Sequence, residues 1–511
     1  MLARTLCYAL QGIDGCPVTV ETDVSYGVYA FAMVGLPDAA VRESHDRVNS
    51  ALRNSGYAVP EGKITINLSP GDLKKEGAAF DLPIAVSLIA ASRQAPLSDL
   101  MQVLTLGELA LDGSLVPVRG VLSMVIAARE QGITQVVLPE GNAKEVQAVE
   151  GMMVFPARNL KQVVEHLSGK ALLEAQHQHS YTECLTDRKE EYDLSQVRGQ
   201  AGARRALEIA AAGAHNLLMI GVPGSGKTML ARCLPGILPD MSVEEAFEVT
   251  RIHSVAGMLA PGAGLITQRP FRTPHHSASM AALIGGGIDA RPGEISLAHN
   301  GVLFLDELPE YPRTVLESLR QPLEDGFVNV SRAKAHSRYD CRTMLVAGMN
   351  PCPCGYYGSR TRPCRCTEHD IRRYLDRISG PMLDRIDLQI EVDAVPVSEI
   401  QQSKPSESSQ CVRERVQKAR EIQRERLKNT RFYANAQMGS REISEFCRLD
   451  AAGKKLLEAA VEKMRLSMRG YNRVLKVART IADLAGEEEI GVSAIAEAIQ
   501  YRTLDQKYWS K

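Results

Sequence analysis

No stretch of this chain approaches ~18 uninterrupted apolar residues, which excludes a transmembrane helix. No charge sign dominates either: 60 Lys and Arg stand against 61 Asp and Glu, for a formal net charge of −1. A global basic field for nucleic acid is thereby excluded. A basic ring channel is not, because net charge averages over faces. The opening Met1-Leu-Ala-Arg-Thr-Leu6 lacks the apolar core and cleavage site of a secretion signal, so a cytoplasmic location is expected. Cysteine is present 11 times, but an odd count in 511 residues does not make a disulfide framework. There is no internal repeat and no long low-complexity tract. What remains is a length for about three domains, with 44% hydrophobic residues to fill ordinary cores.

The chemistry begins at Gly221-Val-Pro-Gly-Ser-Gly-Lys-Thr228, a Gly-x-x-x-x-Gly-Lys-[Ser/Thr] phosphate loop. The apolar run His215–Ile220 before it predicts a strand, and Met229–Leu234 after it predicts the first turns of a helix. In that setting Gly221, Gly224 and Gly226 let backbone N–H groups close around phosphate oxygens at a helix N-terminus. Pro223, Ser225 and Met229 complete the expected nucleotide contacts, Lys227 reaches the β- and γ-phosphates, and Thr228 faces Mg²⁺. A second run, Val302-Leu-Phe-Leu305, reads as a strand buried on both faces of a parallel sheet. It ends in Asp306-Glu307, where such sheets bind ligands. Asp306 is expected in the Mg²⁺ shell and Glu307 at the attacking water. Together these segments imply ATP hydrolysis rather than binding alone.

The rest of the chain divides around this core. Residues 1–170 mix strand-like runs (Val18–Thr22, Lys63–Leu68) with helical ones (Phe80–Ala91 with Pro83 in its first turn, Val121–Arg129 before the strand Val136–Leu138), an α+β unit. A polar linker is expected over 171–192 and a second over 397–411. They bracket an ATPase core at 193–396 and a helical C-terminal region at 412–511.

Further segments narrow the class: Val346-Ala-Gly-Met-Asn350, Asn350-Pro-Cys-Pro-Cys-Gly355, Gly380-Pro-Met-Leu-Asp-Arg-Ile-Asp387, Ser467-Met-Arg-Gly-Tyr-Asn-Arg473 and Ser69–Asp81. With the ATPase motifs they resemble the YifB/ComM family of magnesium-chelatase-like AAA+ proteins, over essentially the whole chain. The resemblance implies a multidomain α/β architecture: a Lon-like (S5-type) α+β N-terminal domain, a central AAA+ P-loop domain and a C-terminal helical lid. It implies that Asn350 is sensor 1, that Arg385 is an arginine finger entering a neighbour's site, and that Arg469 is sensor 2, with Arg473 the competing candidate. For Arg385, an ion pair with Asp384 or Asp387 is the plainer reading. Leu194–Gln200 resembles the stretch beside the adenine. A finger supplied in trans implies an ATP-dependent homo-hexamer.

The family's pore inserts point to Arg251–Gly301, with Arg269, Arg272, His275-His276 and Gly285-Gly-Gly287, and to a hairpin over Phe327–His336. Near its tip, Arg332 and Lys334 would touch DNA phosphates without sequence preference, or be ordinary solvated charge. For His275 and His276 a structural role, or one supporting a site residue from behind, is expected. Cys352-Pro-Cys354 and Cys364-Arg-Cys366 are candidate ligands of a structural zinc ion, against packed free thiols. Arg360, Arg362 and Arg365 would decorate that knob. Gly71–Val86 resembles the Lon-protease fold, but Ala78-Ala79-Phe80 stand about where its nucleophilic Ser would fall, so the domain is expected to be non-proteolytic.

The resulting expectation is a cytoplasmic, ATP- and Mg²⁺-dependent hexameric DNA motor, a helicase of branch-migration type. Its substrates would be single-stranded, double-stranded or branched DNA, its further partners recombination proteins, and its setting natural transformation. A chelatase-like motor acting on a protein partner and an ATP-dependent Lon-like protease are the alternatives.

Overall fold

The computed structural model describes residues 1–185, 191–287, 290–332, 335–359, 362–395 and 406–509, with the side chains of 331–336 outside the description. Its N-terminal unit is built on a seven-stranded sheet in the order Ala30–Val34, Lys63–Ser69, Asp14–Ser25, Leu2–Gln11, Val103–Thr105, Gln135–Pro139, Met153–Ala157. Alternation decides which face is buried. Ile64, Ile66 and Leu68 point inward from one strand, and Val18, Val20 and Thr22 from its antiparallel neighbour. Helix Asp81–Ala91 is buried almost all round, as its largely apolar composition requires. Helix Val121–Glu130 follows, and leads to the strand Gln135–Pro139 as expected.

The expected linker is only partly free chain. Gln176 N–H donates to Val154 O, and a short helix, Tyr181–Cys184, starts at a capping box on Ser180. Its remaining residues, 186–190, lie outside the described residues, as do 396–405 of the second linker.

The core domain is a five-stranded sheet in the order Phe271–Arg272, Val302–Leu305, Met344–Met349, Leu217–Ile220, Leu388–Glu391, with every neighbouring pair parallel. Both faces are covered, which is why the strands read as continuous apolar runs. Successive residues enter opposite cores. Leu217, Met219, Val302, Phe304 and Val346 pack on one side, and Leu218, Ile220, Leu303, Leu305 and Leu345 on the other. The decisive feature is the strand inserted at the centre: Met344–Met349 lies between the phosphate-loop strand and the acidic strand. Three chain segments remote in sequence therefore end side by side.

The C-terminal region is helical: Ser409–Leu427, Ser440–Phe446, Ala451–Met464, Met468–Ala485 and Val492–Gln500. It shares one core with helix Ala201–Gly213. Arg420 on the first of these helices donates to Ala211 O (2.9 Å) and Ala212 O (3.1 Å), satisfying carbonyls at the end of Ala201–Gly213 that the helix itself leaves open. The N-terminal unit docks on the core through helix Val243–Val255. There Arg251 binds Asp14 (2.8 Å) and Ile13 O (3.1 Å), and Gly120 N–H donates to Ser254 Oγ (2.9 Å). Among the described residues no helix is long and apolar enough to cross a membrane.

Candidate active site

The phosphate loop leaves its strand at Gly221, whose N–H donates to Met349 O at 3.1 Å. Gly224 (φ +76) and Gly226 (φ +93) hold left-handed backbone, which glycine adopts without strain and a side chain would not. Lys227 begins the following helix. Its ammonium donates to Gly221 O (2.8 Å), Val222 O (3.1 Å) and Asn350 Oδ1 (3.2 Å), folded back over the loop it closes. Burial lowers its pKa, and the nearby Asp306 and Glu307 work against that shift.

Thr228 Oγ1 donates to Asp306 Oδ2 at 2.7 Å. A hydroxyl and a carboxylate in contact form the all-oxygen donor set that Mg²⁺ prefers, so these residues fit the ion. Asp306 Oδ1 accepts from Glu307 N–H (3.0 Å). Glu307 itself sits at φ +52, a strained conformation for a residue with a side chain, and its carboxylate is solvent-exposed. The structure thus gathers Lys227, Thr228, Asp306 and Asn350 into one contact network at three adjacent strand ends, with Glu307 at its rim.

One feature escaped sequence reasoning, and another was expected only in a supporting role. Gly348 lies inside the strand Met344–Met349, where a Cβ would stand 2.8 Å from Asp306 Oδ1. A glycine interrupting an apolar strand signals close approach, and this one could have been found on that ground. His276 Nδ1 lies 3.5 Å from Glu307 Oε2, with His275 stacked on it at 4.0 Å. Tyr311 OH anchors that loop through Pro274 O (2.6 Å). Nothing in the local pattern of His275-His276 gives this proximity.

The arginines divide by environment. Arg469 is exposed at the start of helix Met468–Ala485. Arg473 is half-buried and paired with Asp387 (3.2 Å), which also meets His215 Nδ1 (3.4 Å) and Asn216 N–H (3.1 Å). That cluster lies at the N-terminal ends of the strands, one strand length, ~13 Å for four residues, from the phosphate loop. Arg385 is at the same end: its carbonyl accepts from Asn216 Nδ2 (2.7 Å). Its guanidinium binds Arg320 O and Pro381 O (both 2.9 Å) and pairs with Glu324. The ion pair weighed from the sequence exists, but its partner is Glu324 rather than Asp384 or Asp387.

Gln200 Nε2 donates to Ser225 O at 3.5 Å, which sets the last residue of Leu194–Gln200 against the phosphate loop. In the insert, Arg269 is spent on Pro239 O, Asn300 O and Glu245, and Arg272 on Glu294. The expected hairpin is present as the antiparallel pair Phe327–Arg332 and Ala335–Asp340, with Arg332 opposite Ala335. The Arg332 side chain and the whole of Lys334 lie outside the described residues, as does Arg360. Cys352, Cys354, Cys364 and Cys366 converge, each sulfur within 4.8 Å of the others.

The chain matches three family models in succession: "Subunit ChlI of Mg-chelatase" over residues 20–142, "Magnesium chelatase, subunit ChlI" over 193–400, and "Magnesium chelatase, subunit ChlI C-terminal" over 406–502. It is similar to a protein named YifB from Escherichia coli (45% identity, covering 98% of this chain and 96% of that one). It is equally similar to the competence protein ComM from Haemophilus influenzae (45%, 98% of each). A Lon protease from Bacillus thuringiensis is 25% identical over 32% of this chain and 22% of its own length.

Proposed function

The chain belongs to the YifB/ComM family of magnesium-chelatase-like AAA+ proteins, and from that premise we propose that it is an ATP-hydrolysing, ring-forming DNA motor that moves branched recombination intermediates. The observation that carries hydrolysis is the junction of Lys227, Thr228, Asp306 and Asn350 across three adjacent strand ends. Lys227 trades its two loop carbonyls for phosphate oxygens while Asn350 holds its third bond. Thr228 and Asp306 would hold Mg²⁺, which would neutralise charge on the β- and γ-phosphates. Glu307 orients the attacking water, and His276 steers that carboxylate. Arg469, free at the lid's edge, is the better-placed sensor 2, because Arg473 is committed to Asp387.

Arg385 stands one strand length from its own phosphate loop, so a finger role requires a neighbour's site. That distance supports a ring, for which a hexamer is our reading. The DNA assignment is supported by the relative named for competence and by the hairpin in which Arg332 stands opposite Ala335, with Lys334 between them in sequence. We read the N-terminal domain as a non-proteolytic platform. Ala78 and Ala79 carry no hydroxyl, and the Lys75 ammonium is spent on Pro70 O.

A Holliday-junction assay run beside ATPase rates tests this function. We expect ATPase stimulated by DNA and junction movement by the wild type, neither in Lys227→Ala, and nucleotide binding without junction movement in Lys334→Ala. An ATPase indifferent to every DNA form overturns the DNA reading and favours a motor acting on a protein partner.

A further inference from the structure

We infer that Cys352, Cys354, Cys364 and Cys366 form a four-thiolate zinc centre whose occupancy holds Asn350 and the phosphate loop in register for ATP turnover. The inference rests on the ATPase reading above for its second half only.

The geometry of the sulfurs supports the metal. Cys352 Sγ lies 3.4 Å from Cys354 Sγ and 3.7 Å from Cys364 Sγ, and Cys354 and Cys364 are 3.6 Å apart. Four thiolates ~2.3 Å from a zinc ion make a tetrahedron with edges of ~3.8 Å, close to these values. Backbone N–H groups of Tyr357 (3.3 Å to Cys352) and Cys366 (3.4 Å to Cys364) point at the sulfurs, the kind of outer support that orients metal-bound ligands. All four cysteines are free. Four ligands close the coordination sphere, so the site is structural rather than catalytic. The segment also needs such a centre. Among its described residues, 353–366 contain no helix or strand and contribute nothing to the hydrophobic cores. A metal supplies order where burial does not.

What the metal orders is the nucleotide site. Cys352 is two residues beyond Asn350, at the end of the sensor strand. Gly355, at φ +86, packs directly on the phosphate loop. A Cβ there would stand 2.7 Å from both Cγ and Cδ of Pro223 and 3.9 Å from Asn350 Cγ. On its far side the knuckle is braced by Tyr357, whose ring meets Tyr508 edge-on at 6.4 Å. Tyr508 OH in turn donates to Glu391 (2.6 Å), at the end of the strand flanking the phosphate-loop strand. The knuckle is therefore wedged between Pro223, the sensor residue and the C-terminal segment. Loss of the metal frees the wedge.

The test reads zinc and turnover separately. Mass spectrometry of the full-length protein, purified without chelator, should find about one zinc ion per chain. The double variant Cys364→Ser/Cys366→Ser should lose it. Because sensor 1 acts at the γ-phosphate, kcat should fall on the order of tenfold or more while ADP affinity stays within about twofold. Gly355→Ala should keep its zinc and still lose kcat, since the added methyl strikes Pro223 whatever the metal does. It also serves as the readout if the double variant does not fold. Wild-type protein without stoichiometric zinc overturns the centre. Wild-type kcat in either zinc-free or Gly355→Ala protein overturns the coupling. If the wild type itself lacks ATPase activity, the earlier reading fails, while the zinc measurement still decides the centre.

Discussion

At the scale of single residues, the site depends on what is missing as much as on what is present. Gly348 has no side chain, so Asp306 can lie close against the strand Met344–Met349 and reach Thr228. Replacing that hydrogen by a methyl must push the carboxylate away. We expect Gly348→Ala to bind ADP normally, to keep its far-UV circular dichroism, and to lose kcat on the order of 100-fold, the scale of a 1 Å misplacement at a reacting centre. Wild-type turnover would show that Asp306 does not need this position. The residues that announce themselves in the sequence, Gly221 to Thr228 and Asp306-Glu307, do so because phosphate and Mg²⁺ demand fixed residue types at fixed local spacing. His276 follows no such spacing. Its place beside Glu307 comes from Tyr311 fastening its loop, a contact between positions 37 residues apart.

At the scale of elements, the helical lid is held by one buried carboxylate. Asp483, fully buried on helix Met468–Ala485, accepts from Arg479 Nε (3.0 Å), Arg426 Nη1 (2.9 Å) and Asn435 Nδ2 (2.7 Å). Arg479, also buried, carries on to Glu487 O and Glu488 O (both 2.6 Å) just beyond that helix. A single acid thus ties the first helix of the lid, the turn after it and the long fourth helix. Removing one partner of a buried ion pair leaves uncompensated charge, so Asp483→Asn should destabilise the lid by about 3 kcal/mol. Calorimetry should show an earlier transition, and an unchanged transition would refute the hub. That the region is helical was legible in the sequence. The tie was not, because Arg426, Asn435 and the pair Arg479 and Asp483 stand on separate segments that only packing brings together.

At the scale of the whole molecule, turnover is a property of two chains on our reading. Arg385 is only 11% exposed and held by Glu324 and two carbonyls, so joining a neighbour's site means exchanging those bonds for phosphate oxygens. Arg385→Ala and Lys227→Ala proteins should each be inactive alone, the first lacking its finger and the second its phosphate lysine. Mixed in equal amounts, they should regain part of the ATPase at seams where an intact loop meets an intact finger. Mixtures that stay inactive beside active single chains would refute catalysis in trans.

The sequence by itself determined the family, the mixed α/β multidomain class, the phosphate-loop and acidic-strand motifs and the two cysteine pairs. Each of these is local: a run, a period or a spacing that physical chemistry ties to one structure. Tertiary structure alone decided the rest. It set the strand Met344–Met349 between the other two, separated Arg469 from the committed Arg473, paired Arg385 with Glu324, and pressed Gly355 onto Pro223. These are contacts between segments far apart in the chain, and only the order of the strands and the burial of the helices bring them within a bond's length.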